Sequence, residues 1–593
     1  MGHLLPKDVA EAAFLGVASS LLGRRWVGLD AGLIRQGAAI AQVAELPELA
    51  GRVLAARGVP ADSAAVRAFL APTLRALMPD PSVLRDMERA ASRLVAATLA
   101  GERIAIFADY DVDGAASAAL LLDWLAALGQ SATLYVPDRV AEGYGPNFPA
   151  MQRLAEAHDL IVCVDCGTLA HEAIGAAAGA EVLVLDHHQG GETLPPALAV
   201  VNPNRQDERA GAELRALAAA GVVFLVLVAA NRLLRAEGRE GPDLLPFLDL
   251  VALATVADVA PLTGLNRAFV RQGLVVMARR ARPGLAALAD VASLTSAPTA
   301  YHLGYLLGPR LNAGGRVGGS DLGTRLLVTR DGAEAARLAA ELDALNQERR
   351  SLEASVLAAA MAAAEARGTD GPLVWAAGEG WHPGVVGIVA ARLKEWANRP
   401  AVVIALDGET GQGSARSVIG IDLGAAVAET VRDGLLMKGG GHAMAAGLSV
   451  RADGVEAAME RLAAALARQG ADRLGPPDLC LDAVLAPRAA TVELVEVLER
   501  AGPFGAGAPG PRVAVSGVLS HVRRLGERHI AVTLSADGGR LDAVAFGAFD
   551  GPLGPALEAR QGMPVHLAGR LERDDWRGRR RARLRIEDAA DPT

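Results

Sequence analysis

Five short runs between residues 101 and 265, "RIAIFADYD", "SATLYVPD", "LIVCVDCG", "AEVLVLDHH" and "ALAVVNPN", are β-rich and apolar, and Ala- and Leu-rich stretches of helical spacing separate them. A strand with one wet face alternates apolar and polar residues, so unbroken apolar runs belong to strands covered on both faces. Interleaved with helices, they predict an α/β fold with a parallel sheet between two helical layers. In such a sheet the loops at the carboxyl ends of the strands open into one crevice. Acidic residues stand at those ends. Asp109, Asp111 and Asp113 follow "RIAIFA", Asp165 follows "LIVCV", and Asp186 with His187 and His188 follows "EVLVL". Asp258 closes "LVALATVAD", read as a further strand.

With three of these strands adjacent, their carboxylates and two imidazoles meet in one small volume. Crowded carboxylates take up protons unless cations neutralise them, so the pattern points to a divalent metal site. Oxygen-rich ligation with one or two imidazoles suits Mn²⁺ or Mg²⁺, whereas zinc would recruit more His or Cys. Two such ions bridged by a carboxylate are the usual apparatus for in-line attack of water on a phosphate ester. A lone strand-end Asp is most often a helix cap or turn residue, and it is the conjunction with "DHH" that favours metal. "DYDVDG" also resembles the start of a calcium loop, but that loop needs Glu at its twelfth position, where Leu120 or Leu122 stands.

The other segments surround this centre. At 593 residues the chain exceeds one core and divides into roughly three to five domains. Residues 1–100 show helical spacing throughout. Asp331 to Arg367 is one uninterrupted helical pattern. A second strand, loop and helix pattern follows to about residue 470, and short alternating strands from about 510 suggest a small β-barrel. The net charge of −9 gives no global signal for a polyanion partner, but residues 511–593 carry fourteen arginines against eleven acidic residues. Three cysteines, Cys163, Cys166 and Cys480, cannot build a disulfide framework and read as core thiols in a reducing compartment. The longest apolar run, Leu217 to Ala230, is shorter than the roughly 18 residues of a membrane span and reads as a buried helix. The N-terminus lacks the basic and apolar regions of a signal peptide, so a cytoplasmic protein is expected.

In this order, "ADYDVDG", "VDCGT", "DHH" and "TVADVAPL" resemble the four motifs of the DHH phosphoesterase superfamily. Within it, "VPDRVAEGYG", "VNPN", "GPRLNAGGR", "WHPGVVGIVAARL" and "GGGHAMAAG" resemble the RecJ branch, the 5′ to 3′ exonucleases of single-stranded DNA in recombination and repair. The departures, such as Ala108 for a common Gly, remove no functional side chain. The resemblance implies an N-terminal helical region (1–100), a DHH domain (101–330) and a connecting long helix (331–368). A DHH-associated α/β domain (369–470) and a linker with an OB-fold barrel (471–593) complete the chain.

The resemblance also implies roles for individual residues. Asp111, Asp113, Asp165, His187 and Asp258 would hold two divalent cations, Mn²⁺ or Mg²⁺, with Asp165 bridging and Asp109 a ligand or an orienting group. His188 would stand beside the scissile phosphate, and Asp186 would orient a histidine. Asn312 and Arg316 would contact phosphates, while Arg139 with Ser414 and Arg416, read as lying on a loop, would form a pocket for the 5′-terminal phosphate. His442, in a glycine-rich loop, would face the cleft. In the barrel, Trp576 would stack on a base within a basic surface made of Arg523, Arg524, Arg577, Arg579, Arg580, Arg581 and Arg583. A monomer is expected, with single-stranded DNA, a single-strand-binding protein and a helicase as partners and no membrane. Smaller DHH enzymes that cleave short oligonucleotides, cyclic dinucleotides or pyrophosphate generally lack the barrel. Non-catalytic relatives have usually lost ligands that this chain keeps.

Overall fold

The computed structural model describes residues 13–139, 141–574 and 580–592. Its first sheet consists of β1 (Ile104–Ala108), β2 (Ala132–Tyr135), β3 (Leu160–Val164), β4 (Glu181–Leu185) and β5 (Ala199–Val201). The spatial order is β2-β1-β3-β4-β5 and every pairing is parallel. The two faces have separate cores. Ile104, Ile106, Val162, Val164, Leu183 and Leu185 pack under α1 (Met87–Ala100), α2 (Val112–Ala127), α3 (Ala219–Ala236) and α4 (Leu248–Ala257). Phe107, Cys163, Val184 and Cys166 lie on the opposite face against Met151 and Leu154. Cys163 and Cys166 are thus buried thiols, while Cys480 is exposed, and all three are free. The apolar helix α3 is long enough to cross a membrane, but most of it is buried in this core.

"LVALATVAD" is not a strand. It forms α4, surrounded by other helices, and Asp258 caps its C-terminal end. Continuous burial produces the same unbroken apolar run in a core helix as in a covered strand, so the pattern alone does not separate them.

After α5 (Gly308–Val317) comes the 36-residue helix α6 (Gly332–Arg367), about 54 Å long at the usual rise. Its first half places Ala335, Leu338 and Leu342 in the first core, and its second half places Val356, Ala360 and Ala364 in the next. That next unit is a mixed sheet with β6 (Val374–Glu379), β7 (Ala401–Asp407), β8 (Thr410–Arg416), β9 (Lys438–His442) and β10 (Ala445–Arg451), in the order β9-β10-β8-β7-β6. Helix α7 (Pro383–Ala397) covers one face, while α8 (Leu423–Arg432) and α9 (Val455–Arg468) cover the other.

The C-terminal strands β11 (Ala483–Leu485), β12 (Val513–Leu525), β13 (His529–Ala536), β14 (Gly539–Ala545), β15 (Pro564–Asp574) and β16 (Arg581–Ala590) form one sheet, which closes into a five-stranded barrel through β12–β15 pairing. The N-terminal helices divide by packing. Ile40, Leu49, Val53 and Val66 join the barrel core, whereas α1 belongs to the first sheet. Trp26 pairs with Leu479 and donates its indole N–H to buried Asp588 of β16, 3.0 Å away.

One buried ion triad holds the first unit in register. Arg282 lies 2.8 Å from Asp123 of α2 and 2.9 Å from Asp249 of α4, and all three side chains are almost fully enclosed. It clamps together the two helices whose far ends carry Asp113 and Asp258. Removing the cation strands Asp249 in low dielectric and leaves Asp123 with Arg330 alone, 2.7 Å away, so Arg282→Met is expected to cost about 3 to 5 kcal/mol, measured by chemical denaturation. Unchanged stability would show that the clamp does not hold these helices.

Candidate metal centre

Asp109, Asp111 and Asp113 leave the end of β1 in three different directions. Asp111 caps α2 by accepting from the backbone N–H groups of Asp113 (2.8 Å) and Gly114 (3.2 Å). Asp113 is buried and accepts from the N–H groups of Ala219 (2.6 Å) and Ala220 (2.8 Å) at the start of α3, where free N–H groups and the helix dipole favour a negative charge. Asp109 is buried, and its Oδ1 has no hydrogen-bond partner. The tight turn depends on Gly114, because a Cβ there would lie 2.3 Å from the Asp109 carbonyl oxygen.

Asp165 follows β3 in the left-handed backbone region, at φ 59°, which an aspartate adopts only at a cost. This conformation places its carboxylate among the others, with Oδ1 buried and unpartnered. His187 follows β4, and its Nε2 lies 3.3 Å from Asp165, 3.8 Å from Asp113 and 3.8 Å from Asp258. That nitrogen is also buried without a hydrogen-bond partner. Three sets, Asp109–Asp111–Asp165, Asp113–His187–Asp258 and Asp165–His187–His188, each bring their ligand atoms within 4.8 Å of one another. Unpartnered oxygens and an unpartnered imidazole nitrogen converging on one space are what a hard divalent cation requires, and Asp165 belongs to two of the sets.

The electrostatics agree with this fit. Burial, then the neighbouring Asp113 and Asp111, push the Asp165 carboxyl well above its usual range. The same causes raise Asp258 to about 8, and burial raises Asp109 and Asp113. Behind the cluster, Asp186 accepts from the N–H groups of Thr168, His187 and His188 and lies 2.8 Å from His188 Nδ1. Burial opposes charge on both, but this pairing holds Asp186 well below the usual range and raises His188 to about 9. The Tyr144 hydroxyl lies 3.1 Å from both the Asp165 carbonyl and His188, and Asn204 donates to the His187 carbonyl at 2.6 Å. Tyr144 and Asn204 stand in quoted motifs, but their roles depend on contacts between strands that spacing does not show.

A second zone is cationic. Asn312 accepts from the Val112 N–H at 3.0 Å, at the start of α2, and so lies beside the aspartates. Arg316, on the same helix, donates to the Gly384 carbonyl at the N-terminus of α7. Burial and two neighbours, Arg139 and Arg349, lower Arg316 to about 10. Burial and Arg139 also lower Arg416, whose guanidinium bonds Ser414 Oγ at 3.0 Å. Arg139 in turn lies over the Tyr110 ring. Arg349 belongs to this zone although its sequence context is an ordinary helical one.

Ser414 and Arg416 are on strand β8, not a loop, and the "KGGGH" segment is strand β9. Glycine-rich, polar strands lack the apolar signature of a strand, and it is cross-strand pairing that orders them. His442 is exposed, and it lies level with Ala445 and Arg416 across the ladder, so His442 and Arg416 share one face of the sheet two strands apart. In the barrel, Arg523 and Arg580 are exposed, but Arg524 pairs with Glu558 and Arg583 with Glu572 and Asp574, so part of the expected basic surface is neutralised. Trp576, Arg577 and Arg579 lie outside the described residues.

Three family descriptions match in succession: DHH family, N-terminal domain, over residues 103–255; DHHA1 domain over 355–468; and RecJ OB domain over 481–588. The chain is 39% identical to the single-stranded-DNA-specific exonuclease RecJ of Dickeya dadantii, across 91% of this chain and 96% of that protein. It is 37% identical to the protein of the same description from Escherichia coli, across 92% and 96%. The crystal structure of RecJ with Mn²⁺ from Thermus thermophilus superposes with a TM-score of 0.79 at 31% identity, covering 96% of this chain and 80% of that one. The corresponding structure with Mg²⁺ has a TM-score of 0.73. With a matching domain order and relatives aligned along nearly their whole length, this chain belongs to the RecJ family.

Proposed function

We propose that this chain is an exonuclease that degrades single-stranded DNA from the 5′ end to mononucleotides, by phosphodiester hydrolysis with two divalent cations, Mn²⁺ or Mg²⁺. The observation that carries the reading is the convergence of buried, unpartnered ligand atoms from Asp109, Asp165 and His187 in a chain of this family. Asp109, Asp111, Asp113, Asp165, His187 and Asp258 are the residues that would hold the cations. When bound, the ions supply Lewis acidity and lower the pKa of attacking water.

The chain's own residues do the rest. Asp186 fixes the His188 ring through Nδ1 and favours its protonated form, which orients it beside the scissile phosphate as an electrostatic or acid-base group. Asn312 and Arg316 hold the phosphates on either side. Arg139, Ser414 and Arg416 form a clamp for a terminal 5′ phosphate, with His442 on the same face as Arg416. A charged clamp reads the end of a strand and not its bases, so it sets polarity without sequence preference. The barrel, including Trp576 and Arg579, carries the trailing strand. In the cell we place the enzyme as a cytoplasmic monomer in recombination and repair, working beside a helicase and a single-strand-binding protein.

Purified protein with Mn²⁺ is expected to release mononucleotides from single strands and not from blunt duplex, and Asp113→Ala is expected to abolish release. Equal digestion of both substrates, or an active variant, would overturn the reading. Removing the substrate's 5′ phosphate, or Arg416→Ala, is expected to raise KM roughly 10- to 100-fold, the value of a charge-assisted contact. Unchanged KM in both would remove Arg416 from the clamp.

Folding raises the carboxyl pKa values in this cluster, so the cation-free folded chain binds more protons than the unfolded chain. Its stability is therefore expected to fall as pH climbs from the usual aspartate value, about 4, to about 8. Thermal melts of chelated protein across this range check the slope, and Mn²⁺ should flatten it. A stability that rises through the window would contradict the crowded-carboxylate account.

A further inference from the structure

Tyr301 and Tyr305 expose 52% and 74% of their surface, and their rings stack with centroids 5.0 Å apart at 27°. In a chain with only 4% aromatic residues, two large rings paired in solvent call for an explanation. The turn that carries them is built to present them. Leu303 and Leu307 are buried on its inner side, and Leu303–Leu307 is wound as a π-helix, a rare local form frequent at functional sites.

The location of this turn ties it to the aspartates. A Cβ at Gly304 would lie 3.4 Å from Val256, and one at Gly308 3.4 Å from Ala257, so the turn rests on the last residues of α4, next to Asp258. Val259, which follows, is 70% exposed and held at φ 59°. From the turn the chain runs into α5, which carries Asn312 beside the aspartates and then Arg316 near the arginine clamp. At about 1.5 Å of rise per residue, Tyr305 precedes Asn312 by roughly 10 Å along the helix axis and Arg316 follows it by about 6 Å. Arg316, whose neighbour Arg139 belongs to the clamp, and the tyrosines therefore lie on opposite sides of Asn312 along one helical stretch. Beyond the tyrosines lies Arg570 of barrel strand β15, near Tyr305 and ion-paired with Glu587 at 2.8 Å.

We infer that Tyr301 and Tyr305 form a stacking platform for bases of the single strand on the 3′ side of the scissile phosphate, between the aspartate cluster and the barrel. The inference rests on the reading above, in which the 5′ end is held at the clamp. Ring faces accept any base, as an enzyme without sequence readout requires. Both side chains are exposed, so their replacement leaves the core intact.

The test compares the wild-type chain with Tyr301→Ala/Tyr305→Ala and Tyr301→Phe/Tyr305→Phe, on long 5′-phosphorylated single strands and on 5′-phosphorylated dinucleotides too short to reach the platform. The Ala pair is expected to raise KM on long strands about tenfold or more, with kcat and dinucleotide cleavage unchanged, and the Phe pair to behave as wild type. Unchanged KM on long strands, or equal losses on both substrates, would overturn the platform. Equilibrium binding of a fluorescent long strand, read without turnover, separates the two claims. If the wild-type chain binds but does not cleave, the exonuclease reading fails. Equal affinity of wild type and the Ala pair removes the platform whatever the cleavage result.

Discussion

Five aspartates facing one enclosed space repel one another, and the rest of the molecule is arranged around that repulsion. Each carboxylate needs a local reason to remain. Asp111 has the N–H groups of its own helix start, and Asp113 has those of the next helix. Asp165 is held by a left-handed backbone, and Asp258 sits at the end of a helix that Arg282 ties to the helix of Asp113. None of these devices neutralises the side facing the crevice. The unpartnered atoms of Asp109, Asp165 and His187 mark where a positive partner belongs.

The cationic zone of Arg139, Arg316, Arg349 and Arg416 complements this arrangement. Burial, and then the neighbouring guanidinium groups, lower Arg316 and Arg416, as burial and then neighbouring carboxylates raise Asp165 and Asp258. A nucleic-acid strand with its metal ions relieves both, because phosphates neutralise the arginines and cations neutralise the aspartates. Arg139 and Arg316 come from the unit that carries the aspartates, Arg349 from α6, which spans both cores, and Arg416 from the second sheet. Contact between Arg316 and the start of α7 joins the two units at the site itself.

Much of this was legible in the residue order. The unbroken apolar runs of β1, β3 and β4 identified a sheet covered on both faces, and the acidic residues after them marked its functional edge. Asp258 was legible as a candidate but not as a helix end, since an apolar run enclosed by helices looks like an apolar run enclosed in a sheet. Ser414, Arg416 and the glycines before His442 read as loop because nothing apolar marks them as strands. The arginines of the C-terminal segment read as one basic surface, yet Arg524 and Arg583 face carboxylates on neighbouring elements.

Residue order by itself determined the periodicity of burial, and through it the sheet, the long helix, the barrel and the acidic strand ends, because these depend on interactions between residues close in sequence. Tertiary structure alone decided which side chains meet. The approach of His187 to three aspartates, the grip of Arg282 on two helices, the crowding of Arg139 with Arg316 and Arg416, and the exposure of the Tyr301–Tyr305 stack all join residues through space. The direction of each pKa shift belongs to the same class, since burial and the distance to a neighbouring charge are properties of packing and not of spacing.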